Sequence, residues 1–367
     1  MTKKIIKISL FSVAILGLLF ICIYYILYTP KTFYYNQLWS SSTGISFNNQ
    51  TNTNKAIQPY TYINIPKLPE TPLALIVNQS KPDKQSPPNN NSQEQTPKPQ
   101  QSTDYPVIAL DMSDKQTTTN LLCKNDSKYS PDINLLAKKE YPLKKSAPTS
   151  TNTSEPVVLI LHTHGSECYM PEDQKNYNSN TPTRLYDINN NIVAVGKVLA
   201  DTLNNLNVPT IHCDTMFDAD SYSDSYNLSE KAIEEYLEKY PSIQYIFDVH
   251  RDSIIKTNND KIKPLTLIEN TPTAQAMFVV GTDSSGADHP NWMDNLTVAS
   301  IFQYKLIEKY QTLMRPINIR AASFNAEQSI GSILIEIGTC GNTLSEAKNC
   351  AKFLGQTIAE VILNDGI

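Results

Sequence analysis

The pattern of apolar and polar positions predicts a chain of alternating strands and helices after a long polar stretch. Val157-Val158-Leu159-Ile160-Leu161 is a continuous aliphatic run, the signature of a strand covered on both faces in a parallel sheet. It breaks off into His162-Thr163-His164-Gly165-Ser166-Glu167. Ile192, Val195, Leu199, Leu203 and Leu206 recur at helical spacing, and residues 208–212 read as a short strand, completing a β–loop–α–β unit. Residues 229–239 predict a helix, with Glu230 and Glu234 early and Lys239 late, in agreement with the macrodipole. Further strands are expected at 243–252, 265–268 and 276–280, an amphipathic helix at 291–313, and a buried strand carrying one acid at 333–338. Thr343-Leu344-Ser345-Glu346 fits a capping box opening a last helix to about residue 363. These elements predict an α/β fold: a single domain over residues 156–367 with a mostly parallel central sheet flanked by helices.

The amino-terminal part reads differently. Lys3, Lys4 and Lys7 precede an uncharged run at residues 8–28, about the roughly 20 apolar residues that a bilayer needs. The flanking lysines place residues 1–7 in the cytoplasm and the rest outside. Tyr24, Tyr25 and Tyr28 close the run, as suits a retained membrane anchor better than a cleaved signal peptide. Residues 29–77 form a juxtamembrane region of mixed character. From 78 to 104 there is no aliphatic or aromatic residue, and prolines stand among Asn, Gln, Ser and Lys. Such a segment buries too little apolar surface to offset its ordering entropy, so residues 78–106 are expected to be a disordered tether. Hydrophobic residues return in 107–155, an extension that either packs on the main domain or forms a small docking element.

Charge and cysteine content narrow the class. With 31 basic and 36 acidic residues, a formal net charge of -5, the chain lacks the basic footprint of a nucleic-acid binder. Six cysteines without a C-x-x-C pair argue against a disulfide framework, though one bridge is open.

The chemistry gathers at strand ends, where open α/β sheets bind ligands. His162 and His164 are two apart, so in an extended strand they point to the same side, and Gly165 lets the chain turn Glu167 back toward them. His250 ends a second strand and Glu336 sits within a third. A charged residue inside an apolar strand is rarely buried without a partner or a task; pairing of Glu336 with Arg251 or Arg320 is the structural alternative. Together these residues suit a catalytic zinc with three protein ligands and an open position for water, with Glu336 as general base. Asp248 or Asp252 is placed to orient His250. Hydrolysis of an amide needs these parts. A metallohydrolase using His-x-His as a metal pair is a rival, although Gly-Ser-Glu follows here where an Asp-His is usual.

The blocks His162-Thr163-His164-Gly165-Ser166-Glu167, Asp248-Val249-His250-Arg251-Asp252 and Leu334-Ile335-Glu336-Ile337-Gly338, followed by Gly341-Asn342-Thr343-Leu344-Ser345-Glu346-Ala347, resemble the stage II sporulation protein P family. Pro241-Ser242-Ile243-Gln244 and Pro290-Asn291-Trp292 agree with it, and the resemblance covers residues from about 107 to the carboxyl terminus. It implies a peptidoglycan hydrolase with a fold related to zinc-dependent N-acetylmuramoyl-L-alanine amidases. The implied setting is engulfment of the forespore, at the cell membrane, with a lytic transglycosylase and a multispanning membrane protein as partners. The implied activity covers the muramoyl–alanine amide and the peptide cross-links. Carried over, His164 and His250 match the histidine ligands and Glu336 the catalytic acid. Those amidases take a glutamate ligand near the start of the following helix; Asn189-Asn190-Asn191 stands there, so the role passes to Glu167, with His162 its rival. His162, Asp248, Arg251 and Asp252 are expected as further ligands or supports. Cys168 stands where a serine is expected, and Phe324-Asn325-Ala326-Glu327-Gln328 follows the Asn-Gln pattern only in part. A wall-binding scaffold without turnover is the alternative from another class; it has no need of both histidines and Glu336 together.

Overall fold

The structure, a computed structural model, describes residues 103–113, 121–143 and 155–364. The segments expected as cytoplasmic end (1–7), anchor (8–28) and juxtamembrane region (29–77), and the tether up to residue 102, lie outside the described residues. Among the described residues no helix is long and apolar enough to cross a membrane.

The fold is mixed α/β. Its strands are β1 (Tyr105–Asp111), β2 (Cys123–Asn125), β3 (Val158–Leu161), β4 (Asn176–Tyr177), β5 (Thr210–His212), β6 (Tyr245–Asp252), β7 (Lys261–Ile268), β8 (Thr271–Ala274), β9 (Ala276–Val280), β10 (Ile317–Ile319) and β11 (Gly331–Thr339). The helices are α1 (Ile133–Leu136), α2 (Ile192–Asn205), α3 (Ser225–Lys239), α4 (Trp292–Lys309) and α5 (Leu344–Leu363). A seven-stranded sheet runs β2-β10-β9-β11-β6-β3-β5 and a four-stranded one β4-β1-β7-β8.

The large sheet is mostly parallel, as expected, but mixed: one of its pairings is antiparallel, and a second, smaller sheet stands beside it. β3, β5, β6 and β11 pair in parallel, as do β2, β10 and β9, but β9 runs antiparallel to β11. The reason is local. β7 turns back as β8 through Glu269-Asn270, both at positive φ, the geometry of a tight hairpin, and only Gln275 separates β8 from β9. The chain therefore enters the large sheet from the small one and in the opposite sense. The small sheet, unforeseen as such, also takes in β1, parallel to β7, and β4 from the polar loop 168–191. Strand β1 begins at Tyr105, inside the segment expected as tether.

Alternation along the strands sorts the core. Val158, Ile160, Phe247, Val249, Ile333, Ile335 and Ile337 pack with α2, α4 and α5, whereas Leu159, Leu161 and Ile246 pack with Ile233 of α3. The large sheet is thus the middle of three layers. Helix α3 starts at Ser225, one turn before the expected residue 229, and α4 stops at Lys309 rather than 313. The capping box is formed: Thr343 accepts from Glu346 N, and Glu346 reaches back to Thr343 N at 3.1 Å. The cysteines at 123, 168, 213, 340 and 350 are free thiols, so the single bridge left open by their number is not made among them.

Helix α2 lies close over the end of β3. A Cβ at Gly196 would fall 2.3 Å from Cε1 and Nε2 of His162, a ring held at both nitrogens. Gly196→Ala is therefore expected to destabilise the fold by about 1–3 kcal/mol by overpacking, in spite of alanine's better helix propensity. A urea midpoint equal to or above that of the unsubstituted protein would contradict this packing.

Candidate active site

The same alternation decides which side chains meet. Val249 faces α2, α4 and α5, so Asp248 and His250 face α3; Ile335 and Ile337 do the former, so Glu336 does the latter. In the parallel ladder Glu336 stands opposite His250, and β3 ends with Leu161 opposite Asp248. Three strand ends far apart in sequence converge on one edge of the sheet.

His164 is buried against α3 and the turn before it. Its ring stacks on Tyr222, centroids 4.2 Å apart, and meets Tyr226 and His250 edge to face at 5.5 and 5.3 Å. Nδ1 lies 3.2 Å from Ser225 Oγ, whose own proton goes to the Tyr222 carbonyl at 2.9 Å. The hydroxyl therefore accepts from Nδ1–H, and this tautomer leaves the lone pair on Nε2. Burial first, then the charges of His250, Arg184 and Arg251, hold its pKa well below the ordinary histidine value. It stays neutral, the state a ligand requires. Arg184 lies over the same Tyr222 ring at 4.2 Å and donates to Ser166 Oγ at 2.9 Å and to buried Asp218 at 2.6 Å.

His250 is poised the other way. Its Nε2 sits 2.9 Å from Asp248 Oδ1 and its Nδ1 3.7 Å from Glu167 Oε2. The Asp248 oxygen lies off the ring N–H direction, so that contact is one of charge rather than an aligned hydrogen bond. Burial works against a proton on His250, but Asp248, through charge and contact, and then Glu167 outweigh it and push the pKa up to about 9. Burial also works against charge on Asp248, yet His250 and the Thr163 donors outweigh it and hold the carboxyl below its usual range. Of the two aspartates expected beside His250, Asp248 has this contact. Asp252 is bonded to Arg315 at 2.6 Å and to Ser253 N.

Glu167 Oε2 accepts the Arg251 backbone N–H at 3.0 Å. The Arg251 guanidinium donates to the carbonyls of Cys168, Thr183 and Asp252, tying the polar loop to β6. It is thus engaged with backbone, and Arg320 Nη1 lies 3.3 Å from Asp126. Glu336 is 3% exposed and its Oε2 has no hydrogen-bond partner. Burial, then the charge of Asp252, raise its pKa well above the carboxylate norm, against the pull of His250.

His162 departs from expectation. The strand ends at Leu161 and residues 163–165 turn, so His162 continues toward α2 while His164 is carried to the α3 side. His162 Nδ1 donates to Val249 O at 2.8 Å, and its Nε2 meets His212 Nε2 at 2.9 Å. Burial, then the charge of His212, depress its pKa to about 3. With both nitrogens engaged on the far side of the sheet, it does not share a face with His164.

The donor chemistry fits zinc: two neutral-capable imidazoles, a carboxylate and an unsatisfied buried acid. Donors about 2.0–2.2 Å from one tetrahedral zinc stand about 3.3 Å apart, and the His250–Glu167 spacing of 3.7 Å is close to that. Among the described residues no three His, Cys, Asp or Glu side chains form a closed metal-binding group. Sequence reasoning missed Tyr222, Ser225, Arg184 and Asp218. They lie in polar stretches without periodicity, and only folding places them around His164.

A model of a family described as stage II sporulation protein P matches residues 49–359. Stage II sporulation protein P of Bacillus subtilis (strain 168) is 25% identical over 228 residues, covering 59% of this chain and 54% of that protein. The match therefore spans about half the length of that relative. Among solved structures the chain is similar to the N-acetylmuramoyl-L-alanine amidase AmiC2 of Nostoc punctiforme, at 15% identity over 58% of this chain and 98% of that one, with a TM-score of 0.33. It is similar also to the CwlD amidase from Clostridioides difficile, solved in complex with the GerS lipoprotein, at 17% identity over 57% and 95%, with a TM-score of 0.33.

Zinc held by this site would have to displace the His250 proton, because that proton is held up to about pH 9. Apparent affinity should then fall about tenfold per pH unit on going down from pH 9, whereas neutral His164 adds nothing to the slope. Chelator-competition titrations at pH 6.5, 7.5 and 8.5 measure this; a flat profile would remove His250 from the ligand set.

Proposed function

Since the chain belongs to the stage II sporulation protein P family, we propose that it is a zinc-dependent peptidoglycan hydrolase that cuts the N-acetylmuramoyl-L-alanine amide and, with it, peptide cross-links. The observation that carries this reading is the convergence of His164, Glu167 and His250 beside Glu336, a buried acid with an unpartnered oxygen on the neighbouring strand. His164, through Nε2, and His250, through Nδ1, together with Glu167 would hold the metal. When bound, it supplies Lewis acidity, activating water near neutral pH and polarising the scissile carbonyl.

The other steps fall to the chain's own groups. Glu336 takes the proton from the attacking water and returns it to the departing amine nitrogen. A raised pKa makes the Glu336 carboxylate a stronger proton acceptor than an ordinary one. Asp248 holds the His250 ring by its second nitrogen, and Ser225 does the same for His164. Arg251 fixes Glu167 through its backbone and the loop through its side chain. Arg184, part-exposed over Tyr222 at the rim, bounds the space where a peptide stem would lie.

In this reading residues 8–28 anchor the protein in the cell membrane with residues 1–7 in the cytoplasm, and the polar tether lets the domain reach the wall outside. The setting is sporulation and engulfment, with a lytic transglycosylase to open the glycan strands and a multispanning membrane protein as partners.

Glu336→Gln keeps shape and metal donors but removes the proton carrier. It is expected to lower release of peptide stems from purified peptidoglycan by about 10²–10⁴-fold with zinc content unchanged. Mass spectrometry of the released products, with metal analysis on the same samples, reads both. Undiminished release would exclude Glu336 as the acid–base group. Full zinc occupancy with no release from the unsubstituted protein would favour the scaffold reading.

A further inference from the structure

We propose that Asn325, Ser229 and Thr163 are positioning residues, forming a hydrogen-bonded relay from the loop between β10 and β11 to Asp248, which it fixes against His250. Thr163 donates to Asp248 twice, from its backbone N at 2.9 Å to Oδ1 and from Oγ1 at 2.7 Å to Oδ2. The same Oγ1 lies 2.8 Å from Ser229 Oγ. An ionised carboxylate only accepts, so the threonine proton goes to Asp248 and the serine hydroxyl supplies its own to the threonine oxygen. Ser229 Oγ in turn lies 3.2 Å from Asn325 Nδ2, which also donates to Tyr226 O at 2.9 Å. The Tyr226 carbonyl is a second acceptor near Ser229, at 3.1 Å; the shorter contact to Thr163 and the amide's hold on that carbonyl favour the relay direction. Every donor then points the same way, toward the carboxylate that touches His250 at 2.9 Å.

The far end of the relay is built for rigidity. Phe324 and Asn325 both have left-handed backbones, with φ of 59° and 56°. Asparagine adopts this readily, whereas a phenylalanine there is strained and needs surrounding contacts to hold it. Phe324 has them, in a cluster with Tyr226, Met277, Val279 and Leu334. Buried Asn295 of α4 binds the carbonyls of Ala326, Ser329 and Ser332 and so ties the loop to the sheet. Asn325 belongs to the block that follows the Asn-Gln pattern only in part.

The consequence rests on the proposed metal role of His250. Outer partners of a metal-binding histidine set its orientation, and their loss typically costs 10–100-fold in metal affinity. Thr163→Val keeps the shape and removes the hydroxyl; Thr163→Ser keeps the hydroxyl; Asn325→Gly keeps the backbone conformation and removes the amide. The full-length chain is titrated with zinc by chelator competition. In parallel, the metal-free, histidine-labelled protein is followed by ring-nitrogen NMR, where five histidines give few signals to assign. Thr163→Val is expected to weaken zinc binding about 10–100-fold and to move the His250 ring signals, Asn325→Gly to do both to a smaller degree, and Thr163→Ser to restore both. The far-ultraviolet circular dichroism of each variant should match that of the unsubstituted protein, reporting an intact fold. Unmoved His250 signals in a folded Thr163→Val protein would overturn the relay, as would a serine variant as impaired as the valine one. If the unsubstituted protein takes up no zinc, the metal reading of the site fails, and the His250 signals alone then decide the relay.

Discussion

The register of three adjacent parallel strands is the constraint on which the site depends. Strands β3, β6 and β11 lie side by side and finish on one edge, so whatever follows their last buried aliphatic residue is gathered there. Because side chains alternate with a period of two, a slip of one residue in β11 would carry Glu336 into the apolar layer under α4 and α5. It would also place Ile335 or Ile337 beside His250. The packing of alternate aliphatic residues against helices on both faces therefore holds the register, and the register holds the chemistry.

Electrostatics then assigns different states to similar groups. His164 and His250 are both buried, yet one is kept neutral by burial and nearby positive charge, and the other keeps its proton because Asp248 and Glu167 face it. Glu336 and Asp248 are both buried acids on neighbouring strands, pushed in opposite directions by desolvation and by contact with donors. A neutral His164, a His250 faced by two acids and a Glu336 whose ionisation is disfavoured leave little uncompensated charge within one small volume. Such a site keeps its arrangement because its protons and ion pairs balance.

Around this centre the long polar loop and the turn before α3 form the wall. The loop is tied to the body through Arg251, through Arg184 on Ser166 and Asp218, and through the short ladder of β4 with β1. Residues before the main domain therefore reach the neighbourhood of the site: β1 holds β4 on one side and β7 on the other. A loop of this length without such ties would carry a large ordering cost.

Much of the fold was legible because burial on both faces imposes continuous aliphatic runs, and amphipathic helices impose a 3.6-residue period. β3, β6, β9 and β11, helices α2, α4 and α5, and the Thr343–Glu346 box all announce themselves this way. So do His164, His250 and Glu336, each at the end of or within an apolar run, whereas Glu167 is reached through the turn at Gly165. Short or half-exposed elements such as β2, β4, β8 and β10 carry too few residues to show a period, and the antiparallel insertion of β9 depends on a hairpin whose turn residues are Glu and Asn. The sequence by itself determined which residues have no reason to be buried except chemistry. Only the tertiary structure decided which way each faces: the end of β3 at Leu161 sends His162 to α2 and His164 to α3, a separation that spacing alone reads as a shared side. Tyr222, Ser225, Thr163 and Asn325 became partners of the site for the same reason, since hydrogen bonds between distant segments leave no periodic trace in the chain.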